Sequence, residues 1–121
     1  KSIAYSRADE LFLEKVNDCI IKNLEDIAFD VEKLAKLLNM SKPTLYRKLK
    51  SLSDLSPNEI INITRLKKAA ELLAGGQYKI YEVADMAGFG SQTNFGRNFH
   101  KQFGMTPTEY ISQKEAERNK L

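Results

Sequence analysis

Histidine and cysteine are nearly absent from this sequence of 121 residues, which contains one of each, His100 and Cys19. A structural zinc site needs about four ligands, so these two residues cannot build one. A single cysteine cannot form an internal disulfide, and a lone thiol is typical of a protein in the reducing cytosol. We therefore expect a cytoplasmic protein that binds no metal and no other cofactor.

Long apolar stretches and low-complexity segments are missing as well. No uncharged apolar run approaches the roughly 20 residues that a membrane-spanning helix requires. The N-terminal segment KSIAYSRADE has neither the apolar core nor the cleavage site of a secretory signal. We expect a globular domain that makes no membrane contact. Because the sequence begins with lysine rather than methionine, we also expect it to be a piece of a longer protein.

The sequence also lacks the common catalytic motifs. The sequence contains no glycine-rich phosphate loop, no paired-carboxylate motif and no nucleophile–base pair. An enzyme is therefore disfavoured. The remaining classes are a nucleic-acid-binding domain and a helical protein-interaction module that binds no DNA.

Positive charge is concentrated in the middle of the chain. Residues 33–105 contain 12 Lys and Arg against 5 Asp and Glu, whereas residues 1–32 contain 4 against 8. A basic segment of this size favours a polyanionic partner such as nucleic acid. Solvated helix faces are often basic too, so the charge alone leaves both remaining classes open.

Apolar residues recur with helical spacing along the whole chain, and no stretch alternates convincingly for more than about five residues. Residues that favour helix N-caps precede most of the helical stretches. These residues are Asp30, Ser41, Ser56, Ser91 and Thr106. Asn39 and the glycines at 75, 76, 88 and 104 mark helix ends. The pattern predicts an all-α fold with about seven helices.

One motif occurs twice. The segments LAKLLNMSKPTLYRKLK (34–50) and VADMAGFGSQTNFGRNFH (83–100) each contain a short helix with a small alanine, a tight turn, a capping serine and a polar helix. Ser41 and Ser91 are equivalent at an offset of 50 residues, and the second turn has one additional residue. This order of elements is the helix-turn-helix pattern, whose second helix enters the major groove of DNA.

The polar faces of the two second helices lack acidic residues, since none occurs between Glu32 and Asp54 or between Asp85 and Glu109. Arginine, asparagine and glutamine make paired hydrogen bonds to base edges, and capping serines can contact phosphates. The first helix offers Lys42, Thr44, Tyr46, Arg47, Lys48 and Lys50, and the second offers Gln92, Thr93, Asn94, Arg97, Asn98, His100 and Lys101. Two such copies favour DNA binding over two solvated basic faces.

The segment GFGSQTNFGRNFHKQFGMTPTEY (88–110) resembles the C-terminal signature of the AraC/XylS family of bacterial transcription regulators. The resemblance extends over residues 12–111. The segments DELFLEKVNDCI (9–20) and LYRKLKSLSDLSPNEIINITRLKKAAELL (45–73) are similar to a narrower group. In that group, from Bacteroides-type bacteria, this domain ends a hybrid two-component sensor or a response regulator.

The resemblance implies two helix-turn-helix units joined by a long linker helix. It also implies sequence-specific binding of double-stranded DNA for transcription regulation, with two recognition helices in successive major-groove segments. We expect the whole sequence, 1–121, to be one such domain, with a first unit at 8–55, a linker helix at 56–75, a second unit at 76–112 and a charged, frayed tail at 113–121. The further partners that the family implies are RNA polymerase and a sensor or receiver module elsewhere in the full-length chain.

Carried over by position, the family's DNA contacts fall on Pro43, Tyr46, Arg47, Gln92, Thr93, Gly96 and Arg97. Lys42, Ser91 and His100 become phosphate neighbours. Pro43 and Gly96 stand where some members have longer side chains that reach bases, so we expect fewer direct contacts at these two positions.

Two further expectations concern charge and spacing. About five of the following cations are expected to neutralise phosphates: Lys42, Lys48, Lys50, Arg65, Lys67, Lys68, Arg97 and Lys101. The long linker helix, roughly 25 Å by its rise per residue, suits recognition helices about one DNA turn (~34 Å) apart.

The aromatic residues Phe89, Phe95, Phe99 and Phe103 follow helical spacing, which favours a place in the core rather than on a base-stacking surface.

Overall fold

The computed structural model describes residues 5–120, which contain seven helices and no strand. The helices are α1 (Arg7–Lys22), α2 (Val31–Leu37), α3 (Lys42–Ser53), α4 (Pro57–Gly75), α5 (Ile80–Met86), α6 (Gln92–Phe103) and α7 (Pro107–Asn119). The predicted all-α fold is confirmed. Among these described helices, none is both long enough and apolar enough to cross a membrane.

The helices begin at the predicted caps. The side chains of Asp30, Ser41 and Ser91 each accept a hydrogen bond from the backbone N–H three residues later, over 3.0, 3.3 and 3.0 Å. Such bonds satisfy N–H groups that a helix start leaves without an internal partner. The sequence therefore determines where α2, α3 and α6 begin.

Reciprocal capping boxes open α4 and α7. The carboxylates of Glu59 and Glu109 accept from the backbone N–H of Ser56 and Thr106 over 3.0 and 2.8 Å. The Ser56 and Thr106 hydroxyls accept in return from the N–H of the two glutamates over 3.2 and 3.1 Å. Hydrogen bonds with Ser56 lower the pKa of Glu59, and hydrogen bonds with Thr106 lower the pKa of Glu109. In both boxes the bond with the backbone has the larger effect and the bond with the side chain has the smaller one.

The internal repeat is preserved in the structure. Helices α3 and α6 have 12 residues each, and α2 and α5 have 7 residues each. In the turn after α2 and after α5, Asn39 and Gly88 have left-handed backbones with φ of 55° and 82°. Asp54 and Gly104 end α3 and α6 in the same conformation, with φ of 62° and 75°. The two helix-turn-helix motifs are thus built alike down to their turns.

The described chain forms two compact units. The N-terminal unit contains residues 5–23 and 28–64, and the C-terminal unit contains residues 24–27 and 65–120. The sequence-based division places a separate linker at 56–75, whereas α4 contributes its first residues to one unit and its last residues to the other. Each unit contains one complete helix-turn-helix motif.

Each unit has its own buried apolar residues. In the N-terminal unit these include Val16, Ile20, Phe29, Leu34, Ala35, Leu38, Leu45, Leu49 and Ile61. In the C-terminal unit they include Leu66, Ala69, Leu73, Val83, Ala84, Ala87, Phe89, Phe95 and Phe99. The cores hold the inner faces of α3 and α6, and so determine which residues of these helices face outward.

Aromatic rings fill much of the C-terminal core. The ring centroids of Phe95 and Phe99 lie 5.6 Å apart, and the Phe99 ring lies 4.6 Å from Phe103 and 5.4 Å from Tyr110. Tilted and edge-on pairs at these distances stabilise a core. Phe89, Phe95 and Phe99 are buried and Phe103 packs against them, so the prediction that these rings belong to the core is confirmed.

Arg65 is a structural residue, and the expectation that it neutralises phosphate is wrong. Its side chain is 6% exposed. The guanidinium donates to the carbonyl oxygens of Leu24, Asp26 and Ala87, the last two over 3.0 Å each. Burial lowers the pKa of Arg65, and the charge of Asp26 opposes this effect. Because these carbonyls belong to two different loops, Arg65 ties both of them to α4.

Most of the C-terminal segment 113–121, for which we expect a charged, frayed tail, is helical. Helix α7 continues to Asn119. The Arg118 guanidinium donates a hydrogen bond to the Ala74 carbonyl oxygen near the end of α4. This long-range contact gives the last turns of α7 a partner that helical periodicity does not reveal. Leu121 lies outside the described residues.

Candidate nucleic-acid interface

Helices α3 and α6, which we call the recognition helices, each bury one edge and expose the opposite face. Leu45 and Leu49 of α3 and Phe95 and Phe99 of α6 are each 0% exposed. Residues three or four positions apart share a helix face, so these residues define the inner edge. Of the predicted site residues, Lys42, Pro43, Thr44, Tyr46, Arg47, Lys50, Ser91, Gln92, Thr93, Asn94, Arg97 and His100 are exposed and Gly96 is half-buried.

The outward face of α3 combines apolar and basic groups. Tyr46 and Arg47 follow Pro43 by three and four residues and precede Lys50 by four and three, and Tyr46 is 49% exposed. The Arg47 guanidinium donates to the Thr44 hydroxyl over 3.5 Å. This long contact directs the arginine towards the start of the helix, the part of a recognition helix that contacts base edges.

A groove of about 600 Å³ adjoins this face within the N-terminal unit. Its apolar walls include Val31, Pro43, Tyr46 and Pro57, and Lys42 also lines it. Apolar surface next to a cation can contact a thymine methyl group while the cation approaches a phosphate. The groove thus continues the exposed face of α3 and does not form a separate site.

The outward face of α6 is more polar. Arg97 follows Thr93 by four residues, and His100 follows Arg97 by three. This spacing places the three residues on one face. Asn98 lies to one side, where its amide nitrogen donates to the backbone oxygen of Asn94 over 2.8 Å and to its side-chain oxygen over 3.1 Å. The amide of Asn94 is therefore held along the helix surface.

Two other lysines expected to neutralise phosphates have protein partners. The Lys48 Nζ lies 4.2 Å from the centroid of the Phe12 ring, on the side of α3 that faces α1. Lys68 forms an ion pair with Glu71 over 3.6 Å. The cations that remain on the two recognition helices are Lys42, Arg47, Lys50, Arg97 and Lys101, and neither helix contains an acidic residue.

This arrangement suits recognition of a polyanion. Each recognition helix begins at a capping serine, carries an arginine opposite its buried edge and has lysine or histidine in its last turns. Within the part of the chain that the structure describes, no three His, Cys, Asp or Glu side chains are placed to hold a metal ion. The exposed side chains of this surface offer hydrogen-bonding groups, apolar contact and positive charge.

A family model described as a helix-turn-helix domain matches residues 34–113. The match includes both recognition helices and the whole of α4. It therefore corresponds to the part of the chain in which the motif is repeated.

Among curated proteins, the chain is 35% identical over 108 residues to histidine kinase P4 of Formosa agariphila, covering 89% of this chain and 8% of that protein. It is 37% identical over 91 residues to the HTH-type transcriptional regulator MtrA of Neisseria gonorrhoeae, covering 75% of this chain and 30% of MtrA. The chain thus spans less than a third of the length of either relative.

Solved structures share the fold. The DNA-binding domain of AdpA, a global transcriptional factor solved in complex with a target DNA, matches with a TM-score of 0.80 and 32% identity, over 88% of this chain and 96% of that one. The C-terminal domain of AraT, a response regulator from Geobacillus stearothermophilus, matches with a TM-score of 0.76 and 29% identity, over 83% of each chain.

Proposed function

Because this chain belongs to the AraC-type helix-turn-helix family of DNA-binding domains, we propose that it binds double-stranded DNA sequence-specifically, with α3 and α6 in successive major-groove segments. The observation that carries the proposal is the pair of equivalent, acid-free helices that present Arg47 and Arg97 opposite their buried edges. The biological role is regulation of transcription.

We assign different tasks to the exposed side chains. Arg47 and Arg97 read base edges, because a guanidinium makes two parallel hydrogen bonds to guanine. Lys42, Lys50 and His100 approach phosphates, which position the protein without reading sequence. The other proposed contacts are Pro43, Thr44, Tyr46, Ser91, Gln92, Thr93, Asn94 and Gly96.

The setting of this domain is part of the proposal. One relative is named a histidine kinase and one structural neighbour is a response-regulator domain. We therefore propose that a sensor or receiver module lies elsewhere in a longer cytoplasmic chain, and that this domain itself catalyses no reaction. RNA polymerase is the further partner that a transcription regulator of this kind would contact.

Binding to duplex DNA should depend steeply on salt. If about five phosphates are neutralised, log K falls against log salt with a slope near −4 to −5. Raising the salt from about 50 to 200 mM then weakens binding by roughly 10²- to 10³-fold. Fluorescence anisotropy on a labelled duplex measures this slope. A flat response would favour the alternative, a helical protein-interaction module without DNA binding.

Arginine and lysine substitutions should separate base contacts from phosphate contacts. On a sequence selected from a random library, Arg47→Ala and Arg97→Ala should each weaken binding by about 1–3 kcal/mol and relax the preference at particular bases. Lys50→Ala should weaken binding to selected and random duplexes alike. If Arg47→Ala weakens both duplexes equally, Arg47 contacts phosphate and the assignment is wrong.

A further inference from the structure

Helix α6 contains a glycine, Gly96, at its fifth position out of 12. Glycine inside a helix is unfavourable, because the unfolded chain loses more conformational freedom there than with any other residue. A glycine can serve the fold, where the backbone needs a positive φ or has no room for a Cβ atom, or it can let a ligand approach the backbone closely. The structure allows these two reasons to be separated.

The fold does not need glycine at position 96. Unlike Gly88 and Gly104, Gly96 does not have a positive φ. A Cβ atom built on Gly96 meets no heavy atom within 4 Å outside its own helix backbone, whereas one built on Gly88 lies 1.5 Å from the Arg65 guanidinium. Alanine would therefore fit at position 96 without strain.

Gly96 lies beside the proposed DNA-contacting side chains. It follows Thr93 by three residues and precedes His100 by four, so the three share one face of α6. The equivalent position in α3, fifty residues earlier, is Tyr46, whose ring is 49% exposed. The two recognition helices thus differ at this position, where α3 presents a large ring and α6 presents bare backbone.

We propose that at Gly96, already one of the proposed contact positions, the α6 backbone itself lies directly against a base-pair edge in the major groove. The absence of a side chain lets α6 approach the bases more closely than α3 does, a common use of glycine at ligand sites. This inference rests on the proposed DNA binding. It assigns Gly96 a role through close approach, in place of the side-chain contact that a longer residue would make.

The test compares Gly96→Ala with Gly75→Ala. Gly75 is the last residue of α4, and a Cβ atom built there also meets nothing within 4 Å. Gly96→Ala should raise the melting temperature by about 2–4 °C, and Gly75→Ala should leave it unchanged or raise it. Only Gly96→Ala should weaken binding to a library-selected duplex, by roughly 10-fold, because the added methyl group overlaps the base edge.

Three results decide the inference. It is supported if Gly96→Ala is more stable than the wild type and binds the selected duplex more weakly, while Gly75→Ala binds as the wild type does. It is overturned if Gly96→Ala binds with unchanged affinity, or if it lowers the melting temperature, which would show that the fold itself needs the glycine. Failure of the proposed function is seen separately, as a wild-type protein that does not prefer the selected duplex over random DNA.

Discussion

Gly88→Ala should strongly destabilise the C-terminal unit. A Cβ atom at this position would lie 1.5 Å from Nη1 of Arg65 and 2.1 Å from the Leu24 carbonyl oxygen. Position 88 also has a φ of 82°, which costs a residue with a side chain about 1–2 kcal/mol. Arg65 cannot move aside without leaving a buried charge unpaired. We expect a loss of about 4 kcal/mol or more in the free energy of unfolding.

Gly104→Ala is the matched control for this substitution. Gly104 has a similar φ of 75°, and a Cβ atom there meets nothing within 4 Å. Gly104→Ala should lower the free energy of unfolding only by the cost of a left-handed backbone, about 1–2 kcal/mol. Urea unfolding followed by circular dichroism compares the two variants. If Gly88→Ala is no more destabilising than Gly104→Ala, the contact between Arg65 and the turn does not constrain the fold.

Five base pairs inserted between the two DNA elements of a selected site should remove most of the specific affinity. Five base pairs are about half a turn of B-DNA, so the insertion turns one element away from the other. The recognition helices belong to one chain and are joined through α4, a helix of 19 residues. Linked binding of two elements exceeds the binding of either alone by about 10²- to 10⁴-fold, and this gain should be lost.

A double test shows whether both recognition helices read the DNA. On the uninterrupted site, Arg47→Ala and Arg97→Ala should both weaken binding. On the interrupted site only one helix remains engaged, so only one of the two substitutions should retain its effect. Unchanged wild-type affinity for the interrupted site would mean that a single unit reads sequence, and we would then assign that role to the N-terminal unit.

The recognition helices illustrate how much of the site was predictable. Their acid-free sequences, capping serines and paired arginines are local features, and a helix that buries Leu45 and Leu49 must present Arg47 on its far side. The sequence did not reveal that Lys48 lies over the Phe12 ring, because that contact joins two helices that are far apart along the chain. A count of positive charges therefore overestimates the cations available for phosphate.

Arg65 and Arg118 show the same limit in the C-terminal unit. Their hydrogen bonds to Leu24 and Ala74 join residues 41 and 44 positions apart. Neither arginine differs in sequence pattern from an ordinary cation on a helix surface. The one sequence feature near the Arg65 contact is Gly88, a glycine just after a helix. A glycine is common at a helix end for reasons of backbone conformation alone, so it did not indicate the buried arginine.

The sequence by itself determined the seven helices, five of their N-caps and the duplicated motif, because hydrogen bonds within a few residues and a period of 3.6 residues decide these features. The tertiary structure decided which charged side chains are free to meet DNA, how α4 is divided between two units and why the last helix continues to Asn119. The physical reason is that burial and long-range hydrogen bonds depend on which distant segments pack together, and short-range patterns carry no record of that packing.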